Sequence, residues 1–490
     1  MFLRAGAVSL VLLLASRLLG LARESAQAAA FGTSALADIA VLMLTLPDWI
    51  TGVLASGALA YVLMPAWAGQ PSAQVATMQR RVFYWLLAAA ALFSVCLLVV
   101  RDQAITLLAG GLPREWLEVA STALIWSALA LPLAFIAALW ATRLQHERDF
   151  LGLYAGHLLV NAGMIAAIAV VGSQAADPKR TVVWLGCGLL AALSLRLTWL
   201  ALRLRSHGPP EVDGATASLP PLPLWMWAAL SAGLPLALPF AARSIASQGG
   251  EGALSTFNYA WKLVELPLLL AIQLVATIAF PAIARVHAER LTLSKEQLAA
   301  PVRSAFALAW SLACAAAAAL MLGAPALTAL LFGWGRMDDA ALARVSQWGS
   351  VAAWGLLPQA LIAVSMTVVA SQRRLKLPVA VYASALAMLV GAGLLGIHEG
   401  LALMKLLNLL FAGVAVVLLA AMGPQVRQWL PWRPMALALG AVCAVGVWTA
   451  VVPPPSAGDA SHLALAALAA GLVMAAAWLV SNDLRQALRS

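Results

Sequence analysis

The 490 residues predict an all-α integral membrane protein: about fourteen transmembrane helices, arranged as two six-helix lobes plus two C-terminal helices. Three observations lead there. Apolar residues make up 63% of the chain and charged residues only 10%, more hydrophobic than a soluble core of this size requires. Apolar runs reach the roughly 20 residues that a spanning helix needs, again and again, without the short alternating stretches of a membrane barrel. The net charge of +10 comes from Lys and Arg gathered in short connections between those runs, with no basic stretch interleaved with aromatics as nucleic-acid binding would require.

Taken in order, the runs place spans near 5–30, 35–66, 82–109, 116–142, 151–172, 180–204, 223–248, 253–284, 302–323, 340–370, 377–397, 400–422, 434–451 and 461–481. The first follows Arg4 and continues into a second span without a small-residue cleavage motif, so it reads as a retained helix and not a signal peptide. The stretches LLAGGLPREW (107–116) and LFGWGRMDDA (331–340) close matching pairs of spans, with glycines suited to tight turns at gates on the outer face. RSHGPPEVDGATASLPPLP (205–223) is polar, Pro-rich and the longest connection. The predicted domains are therefore an N-terminal lobe (1–206), a cytoplasmic linker (207–222), a C-terminal lobe (223–422) and a terminal helix pair (423–490). Cys96, Cys187, Cys314 and Cys443 lie singly within apolar runs and read as packing residues, with neither disulfide nor metal expected. No cofactor is expected.

Charge fixes the orientation. With both termini cytoplasmic, the inner segments hold eighteen basic residues and the outer segments five: Arg101, Arg114, Lys179, Arg180 and Arg336. Seven remain inside spans: Arg17, Arg23, Arg196, Arg243, Lys262, Arg344 and Lys405. Arg196 and Arg344 lie nearer helix ends, from which a long stem carries its charge to the interface. The others need water, a partner or a substrate, because a charge at the centre of a span costs about 2.5–3.5 kcal/mol on insertion scales.

Two segments resemble each other. TLPDWITGVLASGALAYVLMPAWA, from Thr45, and ELPLLLAIQLVATIAFPAIARV, from Glu265, each place a polar residue before Leu-Pro, then an apolar stretch and a second proline. Each lies in the second span of a six-span block. Like-oriented halves with broken helices at matching positions are the sequence signature of a transporter whose site lies between them.

The charges concentrate in SRLLGLARE (16–24). Arg17 and Glu24 share one helix face two turns apart, and Arg23 points about a third of a turn away. If these charges only compensate one another, the expected pairs are Arg17 with Glu24, Arg23 with Asp38, and Lys262 with Glu265. If they line a water-filled cavity, its positive wall suits an anionic headgroup, a phosphate or diphosphate, because Arg offers a bidentate fork and Lys a point charge. The candidate substrate-binding residues are Arg17, Arg23, Glu24, Asp38 and Lys262, with Glu265, Arg243 and Lys405 balancing charge. Gly20, Pro47 and Gly57 are candidate hinges.

SRLLGLARE with the following FGTSALADIA, the Leu-Pro after it and SGALAYVLMP resemble the N-terminal signature of the MurJ/MviN lipid II flippases of the multidrug/oligosaccharidyl-lipid/polysaccharide exporter superfamily. ASQGGEGALSTFNYAWKLVELP (246–267) and LFGWGR are similar to the family's later blocks. The resemblance implies two six-helix lobes around a cationic cavity, and a last helix pair lining a groove for a polyprenyl tail. It also implies alternating-access transfer of an undecaprenyl-diphosphate-linked peptidoglycan precursor, lipid II, across the bacterial inner membrane. Membrane lipids and cell-wall synthesis enzymes are the implied partners. The chain departs from the pattern at Thr45 and Thr51, where typical members are basic, and at Ser56, where they are acidic; Lys262 replaces an arginine. Some members are thought to hold sodium with an acid on helix 7, where this chain has Ala242 and Arg243, so the expectation here is sodium-independent transport. The departures keep open a flippase for another polyprenyl-linked glycan and a transport-inactive scaffold relative. A multispanning enzyme would need carboxylates or a metal site in substantial loops. A cationic wall has the wrong sign for a cationic-drug antiporter.

Overall fold

The computed structural model describes residues 2–173, 177–205, 219–273, 275, 279, 283, 295–372, 374, 376–451 and 460–487. Most of the Pro-rich linker, the loop holding Arg285 and Arg290, and the side chain of Ser56 lie outside the described residues. Every regular element among them is helical. Among the described residues, twelve helices are long and apolar enough to cross a membrane. These correspond to twelve of the fourteen expected spans. Of the other two, the first is the helix Phe2–Phe31, in which the side chains of residues 2–10 lie outside the described ones, and the eighth is described without a break only as far as Gln273.

The chain divides into two compact units. Unit 1 comprises Met1–Phe240, Ser247–Ser255 and Gly335–Met337. Its helices are α1 (Phe2–Phe31), α2 (Ala35–Val53), α3 (Leu59–Trp67), α4 (Ser72–Val99), α5 (Arg101–Leu108), α6 (Leu117–His146), α7 (Phe150–Gly172), α8 (Pro178–Arg205) and most of α9 (Leu222–Ala246). The central helix is α6, which packs against α2, α4 and α8, while α7 lies against α1 and α8.

Prolines show how these helices are braced. Pro47 in α2 and Pro132 in α6 have no N–H to give the carbonyls one turn back, Met43 and Ala128. Each orphan is filled from a neighbouring helix: the Ser127 hydroxyl of α6 donates to Met43 O at 2.9 Å, and the Ser94 hydroxyl of α4 donates to Ala128 O at 2.8 Å. The kinks become docking points between helices.

Unit 2 comprises Ala241–Ala246, Thr256–Trp334 and Asp338–Ser490. It holds most of α10 (Ala253–Pro267), then α11 (Lys295–Phe332), α12 (Asp339–Ala352), α13 (Leu356–Ser371), α14 (Lys376–Leu394), α15 (Gly400–Ala421), α16 (Val426–Trp429), α17 (Trp432–Val451), α18 (Ala460–Val480) and α19 (Asn482–Ala487). The long α11 is its axis, packing against α12, α13, α17 and α18. The terminal pair is tied to it by the Trp310 indole donating to Met435 O at 3.1 Å, and α19 by Arg303 on Asp483 at 2.8 Å. Asp338 caps α12, its carboxylate accepting from Ala341 N at 2.6 Å.

The two Leu-Pro helices share a further feature. A π-helical turn, Leu54–Ala58, follows Leu46-Pro47 and joins α2 to α3; another, Leu268–Gln273, directly follows Leu266-Pro267 at the end of α10. A π-turn inserts one residue and weakens the regular ladder, a defect found mostly at functional positions. The repeat is thus matched in backbone as well as in sequence. Of the four cysteines, only Cys314 is buried; Cys96, Cys187 and Cys443 are on the exposed helix surface, so packing accounts for one of them.

Candidate functional site: the charged face of the first helix

The charges of SRLLGLARE diverge along α1. Arg17 is exposed and makes no ion pair among the described residues, whereas Arg23 is 8% exposed and Glu24 5%. The Arg23 guanidinium donates from Nη2 to Glu24 Oε1 and to Asp48 Oδ2, both at 2.9 Å. Two of the three expected compensating pairs are therefore replaced. Glu24 serves Arg23, its chain neighbour, and not Arg17, and the second anion on Arg23 is Asp48 and not Asp38.

Asp48 is the residue that sequence reasoning missed. It directly follows Pro47, about 20 Å from the start of α2 at 1.5 Å per residue, well inside an apolar run. Its side chain is 53% exposed. Around it, Thr45 and Thr51, where the resemblance implied basic residues, turn their hydroxyls back to Val41 O and Pro47 O at 2.6 and 2.8 Å. Those two donors are satisfied within their own helix. The face of α2 near Arg23 is thus anionic, where the resemblance implied cations.

Asp38 is 2% exposed and has a different set of partners. Its Oδ2 accepts from Gly252 N at 2.8 Å and its Oδ1 from Ser255 N at 2.7 Å, at the start of α10. In return, Glu251 Oε1 accepts from Ala35 N, at the start of α2, at 2.9 Å. Each helix N-terminus, with its unpaired donors and positive dipole end, is capped by a carboxylate from the other. Gly252 has φ +76°, and a Cβ there would collide with Thr33 O, so this approach demands glycine. Arg336 N donates to Ala29 O at 3.0 Å at the same end of unit 1.

In unit 2, the third expected pair forms: Lys262 Nζ to Glu265 Oε2 at 2.6 Å, both side chains about a quarter to a third exposed. Arg243 donates from Nη1 to Asn258 Oδ1 at 2.7 Å, anchored by a neutral amide. Lys405 is exposed.

Arg196 departs from expectation. It is 3% exposed and packed against α7, and its Nη2 lies 3.4 Å from His157 Nε2. It sits nine residues, about 13 Å, inside the end of α8 at Arg205, farther than its stem spans. Its Nε has no partner among the described residues. Arg344, by contrast, is exposed, in keeping with snorkelling.

The hinge candidates separate by role. Pro47 is braced by Ser127, as described above. Gly57 lies in the π-turn, and a Cβ there would overlap the Ala232 methyl of α9, so it is a close-approach glycine. Gly20 has only ordinary contact around it, with Asn161 Nδ2 3.6 Å from a built Cβ.

Comparisons with known proteins give the family and the fold. The profile of the family described as lipid II flippase MurJ matches residues 27–479. A lipid II flippase MurJ of Burkholderia cenocepacia is 26% identical over 364 residues, covering 70% of this chain and 68% of its own. Among solved structures, a lipid II flippase MurJ in an inward closed conformation superposes with a TM-score of 0.77 at 13% identity, covering 99% of this chain and 100% of its own. An inward-facing multidrug resistance MATE transporter of the MOP superfamily gives 0.65 at 14% identity, covering 89% and 96%. These two likenesses establish the fold. With its array of apolar helices, the protein is a multi-pass component of the bacterial inner membrane and belongs to the lipid II flippase MurJ family.

Proposed function

We propose that this protein carries lipid II from the inner to the outer leaflet by alternating access, with N- and C-termini in the cytoplasm. The observation that carries this reading is Arg23: a guanidinium buried at mid-helix, held between Glu24 and a half-exposed Asp48, in a chain matched to the family along most of its length. Lipid offers no partner for a half-exposed carboxylate, so Asp48 marks a water-filled face beside Arg23. Arg17 and Arg23 are the diphosphate-binding cations of the N-terminal lobe, Glu24 tempers their field, and Lys262 with Glu265 serves from the C-terminal lobe. Arg243 and Lys405 add positive charge.

Asp38 is assigned to closure of the outer end and not to substrate contact, because both its oxygens hold backbone N–H groups. The π-turns after the two Leu-Pro motifs are the bending points. The grouping of 1–206 and 223–422 as lobes follows the repeat, and α17 with α18 provides the groove for the polyprenyl tail. Cell-wall synthesis enzymes are partners for the basic inner loops.

A second reading is favoured by α2: with Thr45 and Thr51 bonded within their own helix, the diphosphate clasp has fewer cations, which suits a different polyprenyl-linked glycan. Expression in a bacterium depleted of its own lipid II flippase, with membrane insertion verified, separates the two. Rescue by wild type supports lipid II as substrate. Failure of well-inserted protein moves the assignment to another glycan or to a scaffold.

A further inference from the structure

Arg23 has two anionic partners that differ in kind. Glu24 is its neighbour on α1 and 5% exposed, so that pair is fixed by the helix itself. Asp48 comes from α2, and its carboxylate is 53% exposed. An internal anion that sits on a buried guanidinium while remaining open to water occupies the position an incoming anion would take. A second guanidinium stands nearby. Arg196 on α8 lies within electrostatic reach of Asp48, and among the described residues its hydrogen-bonded neighbour is the His157 imidazole, with Nε left without a partner. A guanidinium carries five donors, so Arg196 has capacity for a carboxylate or phosphate oxygen. A buried cation with so few partners is costly unless an anion compensates it.

We propose that Asp48 is a displaceable counter-ion: in the empty carrier it occupies the Arg23 anion subsite, and a phosphate or diphosphate group of the substrate takes its place. When the substrate binds Arg23, Asp48 remains compensated by Arg196, so the cluster never holds an isolated buried charge. The residue thereby sets selectivity. Only a ligand that binds Arg23 more strongly than a tethered carboxylate displaces it, which favours a doubly charged diphosphate over a single carboxylate. The proposal rests on the reading of Arg23 as an anion site but not on which glycan the substrate carries.

The test uses the full-length protein in nanodiscs, with inorganic pyrophosphate and undecaprenyl diphosphate as probes, read by equilibrium binding. Asp48→Asn removes the competitor and is expected to tighten binding of both probes about twofold to fivefold, the size of a partly exposed ion pair. Asp48→Glu keeps the competitor and is expected to bind like wild type, and Arg23→Ala to lose binding. Should Asp48→Asn not insert, Asp48→Ser reads the same competition with a small uncharged side chain. Unchanged or weaker binding in the uncharged variants overturns the proposal, as does absence of binding in both wild type and Asp48→Asn. Because pyrophosphate carries no glycan, failure to rescue a flippase-depleted strain leaves this outcome independent.

Discussion

The Asp38 carboxylate accepts the Ser255 backbone N–H at 2.7 Å across 217 positions of sequence, and with its other oxygen the N–H of Gly252. The bond joins the first turn of α2 to the start of α10, and Glu251 returns it on Ala35 N. Both carboxylate oxygens act as acceptors, so the amide of Asn is a poor substitute: one of its two ends presents N–H to N–H. Asp38→Asn is therefore expected to destabilise the protein nearly as much as Asp38→Ala, each by about 2–4 kcal/mol, because charge-assisted bonds to buried donors are lost. Thermal unfolding in detergent checks this, and a wild-type melting temperature for Asp38→Asn would contradict the reciprocal cap.

The brace on Pro47 predicts a smaller effect. Ser127→Ala leaves the Met43 carbonyl buried without a donor and is expected to cost about 1–2 kcal/mol. Restoring the missing N–H in the background of that variant, by Pro47→Ala, is expected to recover most of the loss, because the regular ladder then serves Met43. Additive destabilisation in the double variant would show that the serine acts otherwise.

Gly57 and Ala232 form a steric pair. Gly57→Ala is expected to destabilise by about 1–3 kcal/mol through overpacking, and Ala232→Gly to restore most of it by reopening the space. Melting temperatures of the two single variants and the double give the coupling directly. If Ala232→Gly fails to relieve Gly57→Ala, the glycine is needed for bending rather than for close approach.

Arg243 is anchored on Asn258 Oδ1 at 2.7 Å, at the stretch where some relatives are thought to bind sodium through an acid. A fixed cation in that place predicts transport that proceeds equally in sodium and in choline media. Reconstituted vesicles assayed with each cation check it, and a clear sodium dependence would overturn it.

Much of this was legible in the sequence. The helices follow from apolar length alone, and the charges of α1 stand out because no other residue of that helix is ionisable apart from Arg4 near its start. The Leu-Pro repeat pointed to two broken helices, which the paired π-turns match. Partners were harder to foresee. Asp48 lies 25 residues from Arg23, hidden behind Pro47 in an apolar run, and helix spacing says nothing about pairs between helices. Asp38 bonds to backbone amides, which leave no trace in residue type. Arg196 was placed by its nearness to a helix end, but α7 covers that face and holds the side chain inward against His157. Periodicity shows which face a residue occupies; only packing shows what covers it.

The most direct measurement of the central claim is leaflet accessibility of lipid II in proteoliposomes holding wild type or Arg23→Lys and Arg23→Ala variants of verified fold. The account predicts transfer by wild type, partial transfer by Arg23→Lys, which keeps the charge but loses the fork, and loss of transfer in Arg23→Ala. Undiminished transfer in Arg23→Ala would show that the buried arginine of α1 is structural and that the path runs elsewhere.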